Sequence, residues 1–545
     1  MDILSSGVLD PIGSDTRRPV ILAFLIFIGV SLLWLFTLAT AEQDKPERLY
    51  VADRALSPVF NGFAMAGEHI SVVTLLTVSG SVALFGYDGF AFALDALVML
   101  GVLLLLAQKI RNSGCYTLGD LFSLRAPGWS PRIAATAVTL AITIPVLIIE
   151  LRAGGTIVAL LIGESTDGAQ VLCTVLMGCL VSCFAAVAGL RGNSFMHVAK
   201  VPIALVTLAV VTLLAFRQFE WDPGSLLSSA VDKSIAPDDY LRPGLSPYTA
   251  NFGPLNTYGN HVVFILGSAV MPHLILRVGA SRTGHAARRS ISIATGLVGA
   301  FILLLVTTGF AASAVVGAAD IGAVDATGQS SAILLASNVL RHGSTGRVVL
   351  ITLIACVIFL TVLTTVTSVT FATAVSFAHD VFARGKRRPT ETAEVRALRV
   401  AAITVCAVGL SLAAAIHQYP ADFLVAFSIS VAASCVFPVL IYTFFWHRFN
   451  RRGLLWSVYG GLLICLVLTA FSPVVSGTEF ALWPEVNFNW YPFQTPGLVS
   501  VPAAFVLGWF GSVSSPEESE LDFRHMQFRI MTGKAVDPQV TDPRR

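Results

Sequence analysis

Apolar runs about 20 residues long recur along the whole chain, separated by short stretches of Gly, Pro, Asn and charged residues. A helix rises 1.5 Å per residue, so runs of this length match the hydrocarbon core of a bilayer. The pattern predicts thirteen hydrophobic helices, near residues 20–40, 57–81, 89–108, 133–162, 169–189, 194–216, 259–277, 290–316, 346–378, 399–417, 421–446, 453–472 and 497–514. Two connections are long: 217–258, rich in Pro, Asp and Ser, and 317–345. The tail after Ser515 is polar and too short for a second domain. The whole chain therefore reads as a single all-α integral membrane domain.

Composition agrees. Of 545 residues, 55% are hydrophobic and 12% charged, against about 25% charged in soluble chains. Mean hydropathy is +0.76. The formal net charge of +2 says little about partners; no nucleic acid is expected, and the lipid bilayer is the surrounding medium. The placement of charge says more. With the N-terminus outside, most of the 35 Lys and Arg residues fall on inner segments, and the short outer loops near Asp88, Asp167, Gln418 and Glu485 carry none. Such asymmetry is the positive-inside signature of a multi-pass bacterial inner-membrane protein with a cytoplasmic C-terminus. The clusters Arg282/Arg288/Arg289 and Arg384/Lys386/Arg387/Arg388 then face the cytoplasm and the lipid headgroups. The first run follows Arg17 and Arg18 and ends in Ala39-Thr40-Ala41, a sequence like a signal-peptidase site. The run is long enough to span, so a retained first helix is expected.

Eight cysteines include no CxxC pair, and seven lie in apolar stretches, where they act as small hydrophobes. The ten histidines show no zinc spacing. There is no P-loop, zincin motif or nucleophile elbow. Neither an enzyme nor a bound organic cofactor is expected.

A charge at bilayer depth costs about 2.5–3.5 kcal/mol on insertion scales, so each one asks for a partner or a task. Five positions stand out: Glu68 and His69 in the second span, Asp95 in the third, Glu150 and Arg152 in the fourth. Glu150 and Arg152 are two residues apart and point to different sides of a helix. Arg152 is therefore expected to pair with Glu68 or Asp95, or to meet an anionic ligand; a purely structural ion pair is the alternative. In the ninth span, Thr361, Thr364 and Thr365 share one helix face. Such hydroxyls serve either a hard cation or ordinary helix packing. Gly62, Gly67 and Gly80 in the second span, and Gly259, Gly267 and Pro272 in the seventh, mark places where a helix can break and free its carbonyls.

These residues add up to a pattern. Tyr50-Val-Ala-Asp-Arg-Ala, Asn61-Gly-Phe-Ala-Met-Ala-Gly-Glu68 and Gly86-Tyr-Asp-Gly89 resemble the opening of the sodium:solute symporter family, in its acetate permease branch. Ile110–Asp120, Ala188–Gly192, Gly267–His273 with Arg277, Ala432–Pro438, His379-Asp380 and Phe523–Phe528 with Thr532-Gly533 are similar to the same branch. The resemblance covers residues 20–535.

The resemblance implies a five-plus-five inverted-repeat transporter: an N-terminal segment with one helix at 1–56, repeats at 57–216 and 259–447 either side of the outer loop, two further helices at 448–515, and a tail at 516–545. It implies alternating access with substrate near the midplane. It also implies a sodium site made by the carbonyls of Gly67, Ile70 and Thr361 and the hydroxyls of Thr364 and Thr365, although proton-coupled members exist. Glu68, His69, Asp95, Arg152, Pro272 and His273 are the expected substrate-binding residues. The chain departs from the acetate branch, which usually has Asp at the position of Glu68, an aromatic at His69, Gly at Asp95, Gln at Glu150 and an apolar residue at Arg152. These departures put acetate in doubt while keeping a small monocarboxylate. The expected function is cation-coupled symport of a small organic anion, with sodium as the favoured ion. The alternative is a solute sensor of the same fold that works with a separate kinase, since the tail leaves no room for one.

Overall fold

The computed structural model describes residues 13–40, 45–163, 166–187, 189–245, 253–341, 343–384, 389–417, 419, 422–478, 481–515 and 520–534. Ala41, Ala188, Gln418, and Lys386, Arg387 and Arg388 of the second basic cluster lie outside the described residues. Among the described residues the regular structure is entirely helical, with only isolated bridges beside it.

All thirteen predicted segments fall on helices. They are α1 (Ser14–Thr40), α2 (Pro58–His69), α3 (Val72–Phe85), α4 (Tyr87–Asn112), α5 (Trp129–Ile162), α6 (Asp167–Val187), α7 (Leu190–Gln218), α8 (Gly253–Ser268), α9 (Pro272–Gly279), α10 (Gly284–Val315), α11 (Thr345–Ala383), α12 (Glu391–Ala415), α13 (Phe423–Phe445), α14 (Arg451–Ala470) and α15 (Gly497–Val513). The pairs α2/α3 and α8/α9 each make up one broken span. A terminal helix, α16 (Glu520–Thr532), lies against α4.

The first break bends the chain by 57°. Helix α2 ends at His69, and Ile70 adopts φ −81°, ψ 73°. Ser71 then restarts the helix as its N-cap, accepting from Thr74 N at 2.9 Å. The C-terminal carbonyls of α2 and the N-terminal amides of α3 thus lie inside the bundle, where each needs a partner. The second break falls at 269–271, and Pro272 stands at the first turn of α9, where its missing N–H costs nothing. Each broken span opens a run of five: α2/α3 to α7, and α8/α9 to α13.

Helix α2 packs against α10 and α7, while α11 packs against α1, α5, α7 and α12. The apolar window of α11 is 78% buried, the highest value among the spans, which places this helix at the centre of the bundle. It ends in a π-helical stretch, Ser376–Ala383, and a second π turn at Ala432–Val436 interrupts α13. Such bulges shift the side chains that follow and recur at functional sites.

The long 217–258 connection is not merely a solvated loop. Its Tyr240 is fully buried and donates to the Val82 carbonyl at 2.7 Å, covering the end of α3. Gly86 lets it approach: at φ +49° a side chain is already disfavoured, and a Cβ there would stand 2.0 Å from the Tyr240 carbonyl oxygen.

Candidate functional site

The break in α2/α3 presents Glu68 to the interior, and the facing residues come from three other helices. Arg277 of α9 donates to Glu68 Oε1 through Nε at 2.8 Å and through its terminal nitrogen at 2.5 Å. Its other terminal nitrogen donates to Ser194 Oγ of α7 at 2.8 Å. Ser368 of α11 donates to the same carboxylate oxygen at 2.9 Å, and His197 Nε2 lies 3.4 Å away. Asn193 donates to Ser368 at 2.6 Å. Glu68 Oε1 is therefore crowded with partners, while Oε2 is buried and has none. His69 Nε2, Asn193 Oδ1, His197 Nδ1 and His273 Nδ1 are likewise buried without a partner. His69 and His273 are close enough to Glu68 to feel its charge. Buried polar atoms are normally satisfied. Five left open around one ion pair, beside two broken helices, make this the candidate site for a small polar molecule.

Gly67 makes this packing possible, since a Cβ there would lie 2.6 Å from both the Cβ and the Nδ1 of His197.

A second centre lies beside the first. Lys200 of α7 is fully buried. Its ammonium donates to the Gly67 carbonyl at 2.7 Å, the Ile70 carbonyl at 2.8 Å and the Thr364 hydroxyl at 2.8 Å. The Thr364 hydroxyl in turn donates to the Thr361 carbonyl at 3.1 Å. Thr365 Oγ1 is buried with no partner. Of the five residues expected to hold sodium, Gly67, Ile70 and Thr364 meet at one point, and the group they meet there is the Lys200 ammonium; Thr361 and Thr365 do not contact it.

The expected pairing of Arg152 is corrected. Its guanidinium donates to the carbonyls of Ile416 at 3.3 Å, His417 at 2.7 Å and Tyr419 at 2.9 Å, covering the C-terminal end of α12. A helix C-terminus offers uncapped carbonyls and partial negative charge, so it satisfies a cation as a carboxylate would. Asp95 is corrected too: it meets His261 of α8 at 2.6 Å rather than an arginine. Glu150 accepts from Val72 N at 3.2 Å and so caps the start of α3 from the neighbouring helix. Glu68, His69 and His273 lie within reach of one another's charge, with Pro272 next to His273 at the start of α9; Asp95 and Arg152 find their partners elsewhere.

The sodium:solute symporter family model matches residues 49–461. The chain belongs to this family. Over 553 aligned residues this symporter is 30% identical to a monocarboxylic acid transporter of Corynebacterium glutamicum, covering 99% of the chain and 98% of the relative. It is 31% identical to an uncharacterized symporter of Bacillus subtilis, over 95% of the chain and 99% of the relative. Among solved structures it resembles a Na+-coupled sialic acid symporter in a substrate-bound outward-open state, at TM-score 0.67 and 13% identity, covering 92% of the chain and 98% of that structure. It also resembles a nucleobase-cation-symport-1 family transporter in a closed conformation, at TM-score 0.53 and 14% identity, over 88% of the chain and 97% of that structure. The symporter is thus a multi-pass membrane transporter and not an enzyme.

At the end of the symporter that carries most basic residues, a polar network ties the scaffold together. Arg132 of α5 bridges Asp120 at 2.9 Å and Asp380 of α11 at 3.0 Å. His379 lies 3.1 Å from Asp120 and 3.4 Å from Glu394 of α12, which also accepts from the Tyr50 hydroxyl at 2.8 Å. Burial pushes the Asp120 carboxyl up, but the hydrogen bond and charge of His379, joined by Arg132, carry it well below the usual range. Asp120, His379 and Asp380 lie close enough together to suggest a metal cage. The Arg132 guanidinium already supplies the positive charge there. Near the same end, a cavity of about 310 Å³ is lined by Arg48, Arg191 and Arg282, with Phe60 and Phe195 at its side.

Sequence reasoning missed Lys200, His197 and Arg277 as members of the central site. The signal was available. All three are ionisable and lie in or against apolar spans, the same criterion that singles out Glu68. Lys200 and Arg277 fall toward one end of the predicted spans 194–216 and 259–277, where they pass for topology-setting charges.

Proposed function

We propose that this chain is a secondary transporter that carries a short monocarboxylate across the bacterial inner membrane by alternating access, coupled to a cation. The N-terminus is outside, the C-terminus cytoplasmic, and residues 57–216 and 259–447 form the two inverted repeats. The observation that carries the reading is the Arg277–Glu68 pair, set among five unpartnered polar atoms at two helix breaks. A guanidinium binds a carboxylate through two parallel hydrogen bonds. An incoming organic acid can therefore take the place of Glu68 on Arg277, and the open nitrogens of His69, His197 and His273 supply further contacts. The relative's description as a monocarboxylic acid transporter points to the same substrate class. Family membership, and the Na+ coupling of the sialic acid symporter, favour sodium as the driving ion.

The test is uptake of labelled acetate, propionate, lactate and pyruvate into proteoliposomes, with sodium and proton gradients imposed separately. At least one acid should enter saturably and only with an imposed cation gradient. If none of the four enters under either gradient, the substrate class is wrong.

A further inference from the structure

The position that the family resemblance assigns to sodium does not suit a free ion in this chain. An ammonium has three N–H donors and no acceptor. All three of Lys200 are used, on Gly67, Ile70 and Thr364, at 2.7–2.8 Å. Of the other two expected ligands, the Thr361 carbonyl is bound by the Thr364 hydroxyl, and Thr365 Oγ1 is not engaged. We propose that Lys200 is a resident cation, covalently carried by α7, that takes the place of sodium at this position, so that no sodium binds there during the cycle of this transporter.

Three further observations support the assignment. Lys200 is fully buried on a helix facing both α2 and α11, so its charge is held inside the bundle rather than reaching toward lipid headgroups. Glu68 on α2 and Glu150 on α5 lie close enough to attract its charge, while Arg277 on α9 and His197, one turn back on α7, oppose it; these are the ionisable groups that act on it among the described residues. The ammonium joins the last turn of α2 to the middle of α11, the same join that a sodium ion coordinated by these oxygens would make. A tethered cation makes that join permanent, and sodium concentration cannot regulate it.

The inference rests on the transporter reading above, but its test needs no substrate. The full-length protein is purified in detergent, and its melting temperature is measured in sodium chloride and in N-methylglucamine chloride of equal ionic strength. Binding of radiolabelled sodium is measured in parallel. Any sodium response of the wild type should persist unchanged in T364V. K200A should melt lower, recover saturably with sodium, and lose that recovery when T364V is added. A saturable sodium response of the wild type that T364V removes would overturn the proposal. So would a folded K200A that ignores sodium. A wild-type response that T364V leaves intact places the ion elsewhere and leaves this position to Lys200. Should K200A not fold, the wild type and T364V decide the question. Failure of every acid in the uptake panel would sink the substrate class and leave these binding results standing.

Discussion

Replacing Arg277 with Gln should be far more harmful than its conservative appearance suggests. The side chains of Arg277 and Glu68 are 0% and 2% exposed, so the change strands a carboxylate in the interior. Breaking a buried pair by removing one partner typically costs about 3–5 kcal/mol, a large part of the roughly 5–15 kcal/mol that holds a domain folded. The loss here belongs at the upper end, because Ser194 also loses its donor and Glu68 Oε2 has no other contact to fall back on. Monodisperse yield and melting temperature in detergent give the readout. R277Q should melt well below the wild type, and E68Q less so, since its amide can still accept from Arg277. The double variant R277Q/E68Q carries no buried charge at this position and should recover most of the lost stability. Its uptake should stay abolished, because nothing remains to hold the substrate carboxylate. Two results would refute the reasoning. An R277Q as stable as the wild type would mean that the pair is not isolated from water. A double variant that still transports would mean that Arg277 does not receive the acid.

R152Q should lower stability by about 1–2 kcal/mol through lost contacts at the C-terminal end of α12, while leaving the KM for uptake unchanged; a large rise in KM would put Arg152 back in the substrate path. E150A should uncap α3, costing about 1 kcal/mol, and hydrogen exchange at Val72 should quicken without a matching change at the far end of α3. For D120N the expectation is a pH effect. A depressed carboxylate contributes stability that is present above the free value of about 3.9 and is lost as pH falls through its folded value. The melting-temperature gap between wild type and D120N should therefore close as the medium is acidified from about pH 5; a gap that widens would contradict the assigned direction.

The spans were legible because hydrophobic length is a one-dimensional property. Both broken helices also had local signals: Pro272 for the second, and Gly67 followed by Ser71 for the first. Partner choice was not legible in the same way. Glu68 announces itself as a buried charge, but Arg152 and Arg277 are both arginines in or beside apolar helices, and only the helix faces decide between them. The capping of α12 by Arg152 depends on where Ile416 and His417 end their helix relative to α5, which no spacing rule encodes. Lys200 was hidden for a different reason. A basic residue toward the end of a predicted span satisfies the topology rule so well that its burial goes unasked.

The two halves of the broken first span are fastened to different neighbours. Asn61 of α2 donates to Ser281 at 3.0 Å, just beyond α9, whereas the first amide of α3 is held by Glu150 on α5. If rocking moves these neighbours relative to each other, the single linkage Ile70-Ser71 has to take up the rotation, as an axle does between two wheels. Lys200 grips the Ile70 carbonyl at that axle. Friction there would set the turnover rate, so variants that loosen the axle should change how steeply uptake depends on temperature before they change which acid is carried.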